Sequence, residues 1–221
     1  MEILEVYKKY KIMPQLADHQ FRVAAVASII SGKLVELGVF SGQQKADVVL
    51  ACLLHDMGNI IKFDFAQTVS LVNTGIDLDY WQKVKTEYIS IYGKDEHSAT
   101  IQIVKELGVE KRIEELVDCV GFNQAESNLN SGDLGKQICA YADMRVTPRG
   151  VASLEERFAD LRSRYEAKRL AVGGTENDRL KFEQLLREIE KQIFTTTKTL
   201  PEYITEESLA PVVIELKKYK F

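Results

Sequence analysis

Proline and glycine are sparse: four prolines and thirteen glycines in 221 residues. So few breaks leave little room for the turns of a many-stranded β fold. Positive charge is not in excess either. The net charge is -4 and the isoelectric point lies near 5.6, which argues against a protein whose main task is gripping nucleic acid or an anionic membrane. A local basic pocket remains compatible with that balance. Apolar runs fall far short of the ~20 residues that a membrane span needs. The opening Met1-Glu2-Ile3-Leu4-Glu5 carries early acids where a signal peptide would carry bases, so none is expected. Cys52, Cys119 and Cys139 are odd in number and widely spaced, with no CxxC pair. They support neither a zinc knuckle nor a disulfide framework, and each sits in an apolar run as a buried free thiol does. These absences together lead us to expect a soluble cytoplasmic protein. Histidine is as scarce as cysteine, limited to His19, His55 and His97.

Hydrophobic residues make up 45% of the chain and charged residues 28%, enough apolar material for a packed core. The patterning is helical nearly throughout. Phe21, Ala24, Ala25, Ile29, Leu34 and Leu37 recur at helical spacing between Gln15 and Leu37, with Gly38 as a stop. Ser41-Gly42-Gln43-Gln44 fits a capping box. The helix it opens, through Val48, Val49, Cys52, Leu53 and Leu54, is apolar almost all round and is predicted to be the central buried helix, weakening at Gly58. The stretch from Phe63 to Tyr92 is mixed, with a turn signal at Asn73-Thr74-Gly75. Further helices are predicted from Asp95 to Gly108, Glu110 to Phe122 and Asp133 to Arg145, with the polar segment Asn123–Gly132 as a loop and Thr147-Pro148 as a terminator. Beyond Pro148 the character shifts. A capping box at Ser153–Glu156 opens a charged helix with Leu154, Phe158, Leu161 and Tyr165 on one face. Gly173-Gly174 breaks it, and Thr175 starts a second helix carrying Leu186, Ile189 and Ile193. This reads as an antiparallel helical hairpin, and a last helix from Glu206 to Tyr219 closes the chain. No strand is predicted. The expected fold class is all-α, with a helical domain over residues 1–148 and a hairpin plus closing helix over 149–221, packed on or extending it.

The histidines carry the chemistry. His55-Asp56 stands near the end of the most buried helix. Neutral imidazole and carboxylate are ordinary ligands for a divalent metal, and adjacent residues at a helix end can converge on one ion. His19 lies on the preceding helix and Asp143 on a later one, both within apolar stretches where a polar group needs a reason to be present. A single histidine on an apolar face is more often a hydrogen-bonded core residue, and an HD dipeptide alone is weak evidence. The order of the set strengthens it: a histidine near a helix start, then His-Asp-Met-Gly, then an aspartate closing Ala-Tyr-Ala-Asp.

With these residues in place, the chain resembles the HD-domain superfamily of metal-dependent phosphohydrolases, whose pattern is H…HD…D. The matching positions are His19, His55, Asp56 and Asp143; LACLLHDMGNIIKF is similar to that family's LLHDIGK segment, and HSATIQIVKELG to a stretch where many members carry a further histidine. The resemblance covers roughly residues 15–148. It implies an HD-type all-α bundle, one or two metal ions at the base of a pocket, and hydrolysis of a phosphate ester. Two departures bear on the site. Where binuclear members place further histidines this chain has Gly121-Phe122-Asn123-Gln124, which favours one metal per chain, and the lysine of HDxGK is Asn59, with Lys62 one turn later.

Two histidines and two carboxylates around a divalent ion make a nearly neutral site, so a phosphate needs other cations. Arg22, three residues after His19, and Lys62 are the candidate phosphate-binding residues; Arg145 ranks below them. Asp56 or Asp143 is expected to orient the attacking water and His97 to protonate the leaving oxygen or stabilise charge. The expected cofactor is a divalent metal (Mn, Mg, Co, Ni or Fe), and the expected partner a small phosphorylated molecule such as a nucleotide. Neither a membrane nor nucleic acid in general is expected as a partner, and the C-terminal helices are a candidate homodimer surface. The competing readings are a non-catalytic nucleotide sensor built on the same pocket and, given the missing second histidine, the weaker one of a diiron oxygenase.

Overall fold

In the computed structural model, residues 1–65, 77–171 and 175–221 are described; side chains are not described at Phe122 and from Tyr165 to Ala171. The turn signal at Asn73-Thr74-Gly75, the break at Gly173-Gly174 and the packing of Tyr165 therefore lie outside the described residues. The fold is all-α. Among the described residues, eleven α-helices are accompanied by one two-stranded antiparallel ladder, Val146–Thr147 against Gly150–Val151.

The helices are α1 (Ile3–Lys9), α2 (Pro14–Glu36), α3 (Gly42–Leu54), α4 (Leu78–Tyr92), α5 (Glu96–Glu106), α6 (Lys111–Asp118), α7 (Ala125–Ser131), α8 (Leu134–Met144), α9 (Leu154–Ala171), α10 (Glu176–Thr197) and α11 (Glu206–Leu216). Several starts follow from capping chemistry. Ser41 and Thr175 each accept from the backbone three residues on and are answered by the side chains of Gln44 and Asp178, while Asp77, Asp95 and Asp133 cap α4, α5 and α8. Gly38, in the left-handed region at φ 70, ends α2 where the sequence predicts a stop.

Helix α3 is buried continuously from Asp47 to Leu54 and is enclosed by α2, α6 and α8. It is the central helix that its all-round apolar character implies. α1, not anticipated from the pattern, covers its end, where the Tyr7 hydroxyl donates to the Leu53 carbonyl at 2.6 Å. The polar segment Asn123–Gly132 is not a loop. It forms a 3-10 turn (Phe122–Gln124) followed by α7, which packs on α8 and α10. The ordering interaction is polar: buried Asn128 donates to the Cys119 carbonyl at 2.9 Å, a bond that no hydrophobic period reveals.

One apolar cluster runs from Ile3 to Leu216, so the core crosses position 148 without a break. α9 and α10 run antiparallel, since Glu155 pairs with Arg187 and Arg162 with Glu183. α10 packs on α2, α7 and α8, and α11 packs on α2. Arg145, 3% exposed, ties the two parts together. Its guanidinium donates to the Tyr141 hydroxyl (2.6 Å), to the Pro201 and Ile204 carbonyls (3.3 Å each) and to the Ala152 carbonyl. No helix among the described residues is long and apolar enough to cross a membrane.

Candidate metal centre

α2, α3 and α8 pack on one another and bring four polar side chains together. His19 lies in the second turn of α2, His55 is the C-cap of α3 with Asp56 following it, and Asp143 is in the last turn of α8. His19 Nε2 is 3.0 Å from Asp143 Oδ1 and 3.6 Å from Asp56 Oδ2. His55 Nε2 is 3.5 Å from Asp143 Oδ1 and 3.6 Å from Asp56 Oδ2. His19, His55 and Asp56 each offer a ligand atom within 4.8 Å of the others, a group that could hold one metal ion, and Asp143 stands against both histidines.

Backbone chemistry orients the key donor. As the C-cap of α3, His55 faces carbonyls that the helix leaves unpaired, and its Nδ1 donates to the Cys52 carbonyl at 2.8 Å. That bond fixes the proton on Nδ1 and turns Nε2 towards the two carboxylates. Nε2 is buried and has no hydrogen-bond partner. Burial opposes a charged imidazolium, yet the Asp56 and Asp143 carboxylates outweigh it and hold His55 up to about 9. Burial likewise opposes ionisation of Asp143, and His19 and His55 outweigh that, holding its carboxyl well below the usual carboxylate range. Both shifts express one fact: the cluster attracts positive charge, as a proton or as a metal ion.

A supporting layer holds the ligands. Asn59 donates to Asp56 Oδ2, and the Gln20 side chain accepts the Asp56 backbone N–H at 3.4 Å. The turn after Asp56 rests directly on α5. The Gly58 N–H donates to Thr100 Oγ1 at 2.9 Å, and a Cβ at Gly58 would meet the Glu96 carbonyl oxygen at 2.5 Å and Thr100 N at 2.8 Å. Glycine follows His-Asp-Met because no side chain fits there.

Beside the cluster lies a cleft of about 460 Å³, lined by His55, Asp56 and Asp143 together with Asn59, Lys62, His97, Thr100, Asn123, Gln124, Phe182 and Leu186. Lys62 closes a short 3-10 turn, is exposed, and has no ion pair or hydrogen bond among the described residues. His97 lines the cleft from the first turn of α5, with Nε2 3.0 Å from Asp118 Oδ1. Arg22 is not brought to the cleft. Its Nε lies 3.6 Å from Glu206 Oε1, because α11 packs on α2 and supplies a carboxylate there. Asn59, Asn123 and Gln124 stand in the sequence as departures from a motif and in the structure as cleft residues. Phe182 and Leu186 carry no local signal, since they reach the cleft only through the packing of α10.

No family profile, curated protein or solved structure matches this chain.

Proposed function

We propose that the chain is an HD-type metal-dependent phosphohydrolase that cleaves a small phosphate ester. The observation that carries this reading is the buried, unpartnered His55 Nε2, aimed with His19 at two carboxylates beside an accessible cleft. His19, His55, Asp56 and Asp143 would hold one divalent ion, which supplies an activated water and polarises the phosphoryl oxygen. Lys62 offsets the phosphate charge from the cleft wall. Asp56, its carboxylate steadied by Asn59, orients the attacking water. His97, steadied by Asp118, gives its proton to the ester oxygen as the P–O bond breaks, so that the product leaves as an alcohol.

The test combines metal content with phosphate release from a panel of nucleotides and small phosphate esters under Mn²⁺, Mg²⁺, Co²⁺ and Ni²⁺. One metal per chain is expected, with turnover abolished by His55→Ala and Asp56→Ala. Nucleotide binding without phosphate release under all four metals would replace hydrolysis by sensing, and two irons per chain would point to redox chemistry.

A further inference from the structure

Helix α3 ends at Leu54, and the bonds beyond it fix where Asp56 stands. In a continuing helix the Asp56 N–H would donate to the Cys52 carbonyl, four residues back. That carbonyl accepts His55 Nδ1 at 2.8 Å, and the next one, at Leu53, accepts the Tyr7 hydroxyl at 2.6 Å. Among the described residues no backbone carbonyl takes the Asp56 N–H. Its acceptor is Oε1 of Gln20, at 3.4 Å. Gln20 directly follows His19 on α2 and is 0% exposed. Its Nε2 is buried too and has no hydrogen-bond partner. Burying an amide with its donor unpaired is unfavourable, and elsewhere α2 buries Val23, Ala24 and Ala27. A glutamine at this position therefore needs a reason, and the Asp56 N–H supplies one.

Resting on the phosphohydrolase reading and its metal centre, we infer that Gln20 is a positioning residue of that centre. Its Oε1 stands in for the Cys52 carbonyl and sets the turn from which the Asp56 carboxylate meets His19 and His55. The bond that orients His55 occupies the Cys52 carbonyl, and Gln20 makes good the loss at the next residue. His19 and Gln20 are consecutive, so one stretch of α2 supplies a ligand and locates another. The two amides divide the work. Asn59 holds the Asp56 side chain at Oδ2, while Gln20 holds its backbone from a different helix. Groups that orient ligands from behind in this way set metal affinity without touching the ion.

Calorimetric titration of the full-length protein with Mn²⁺ tests this without turnover. Gln20→Met keeps the length of the side chain and removes its acceptor, so Mn²⁺ affinity should fall by about tenfold or more. Gln20→Glu keeps an oxygen at the Oε1 position and should bind Mn²⁺ at least as tightly as wild type. Melting of the metal-free protein separates positioning from packing. In Gln20→Met the lost acceptor is offset by removal of the unpaired donor, so the midpoint should stay within about 4 °C of wild type. Mn²⁺ affinity within about twofold of wild type in Gln20→Met, weaker binding by Gln20→Glu, or a larger fall in the Gln20→Met midpoint would overturn the inference and leave the phosphohydrolase reading standing. Failure of the wild type to bind Mn²⁺ would remove the reading and the inference together.

Discussion

Replacing Gly58 by alanine isolates the contact on which the candidate centre is mounted. The backbone at Gly58, φ -92 and ψ -1, is open to any L-residue, so conformational strain does not enter. The cost is steric. The added methyl would stand 2.5 Å from the Glu96 carbonyl oxygen, 2.8 Å from Ala99 Cβ and 2.8 Å from Thr100 N. Two of these are backbone atoms that cannot swing aside, so α5 and the Asp56–Gly58 turn must separate. Overpacking of this kind costs about 1–3 kcal/mol. Separation also breaks the buried bond from the Gly58 N–H to Thr100 Oγ1, adding about 1–3 kcal/mol. A loss of about 2–6 kcal/mol lowers the melting temperature of a chain this size by on the order of 5–20 °C. Gly42→Ala is the control: it lies in the first turn of α3 with nothing within 4 Å of the new Cβ, so it should be neutral or stabilising by up to ~1 kcal/mol. Thermal melts followed by circular dichroism read both. A Gly58→Ala protein melting within about 2 °C of wild type would refute the close approach of the turn to α5.

Two further outcomes follow from buried polar contacts. Arg145→Met should cost at least about 3 kcal/mol in urea unfolding, because the Tyr141 hydroxyl and the Ala152, Pro201 and Ile204 carbonyls lose a shared charged donor; a change under ~1 kcal/mol would show that the guanidinium does not join α8 to the C-terminal segment. Asp133 caps α8 and accepts two bonds from Arg112, whose guanidinium holds its carboxyl below the ordinary value of 3.8. A depressed carboxyl contributes stability that is fully present above 3.8 and lost as the pH falls through its lower folded value. The difference in urea midpoint between wild type and Asp133→Asn, which keeps a capping side chain, should therefore shrink on acidification; a difference independent of pH would contradict the pairing.

The sequence by itself determined the helical class, the buried central helix and the order in which His19, His55, Asp56 and Asp143 occur, because these depend on local terms. Apolar spacing sets α2 and α3, and Ser41 with Gln44 sets where α3 begins. The tertiary structure decided what those residues meet. Arg22, three residues after His19, and Lys62, six after Asp56, read alike as lone cations near candidate ligands, but the packing of α11 on α2 gives Arg22 a carboxylate while Lys62 lines the cleft. Asn128 reads as loop polarity until its bond to the Cys119 carbonyl orders α7. Leu186 reads as part of the apolar stripe of a charged hairpin until α10 lies across α8 and makes it, with Phe182, a wall of the cleft. Capping and periodicity act over a few residues and are written in the chain. Ion pairing and cleft lining depend on which distant helices pack together, and no local pattern carries that.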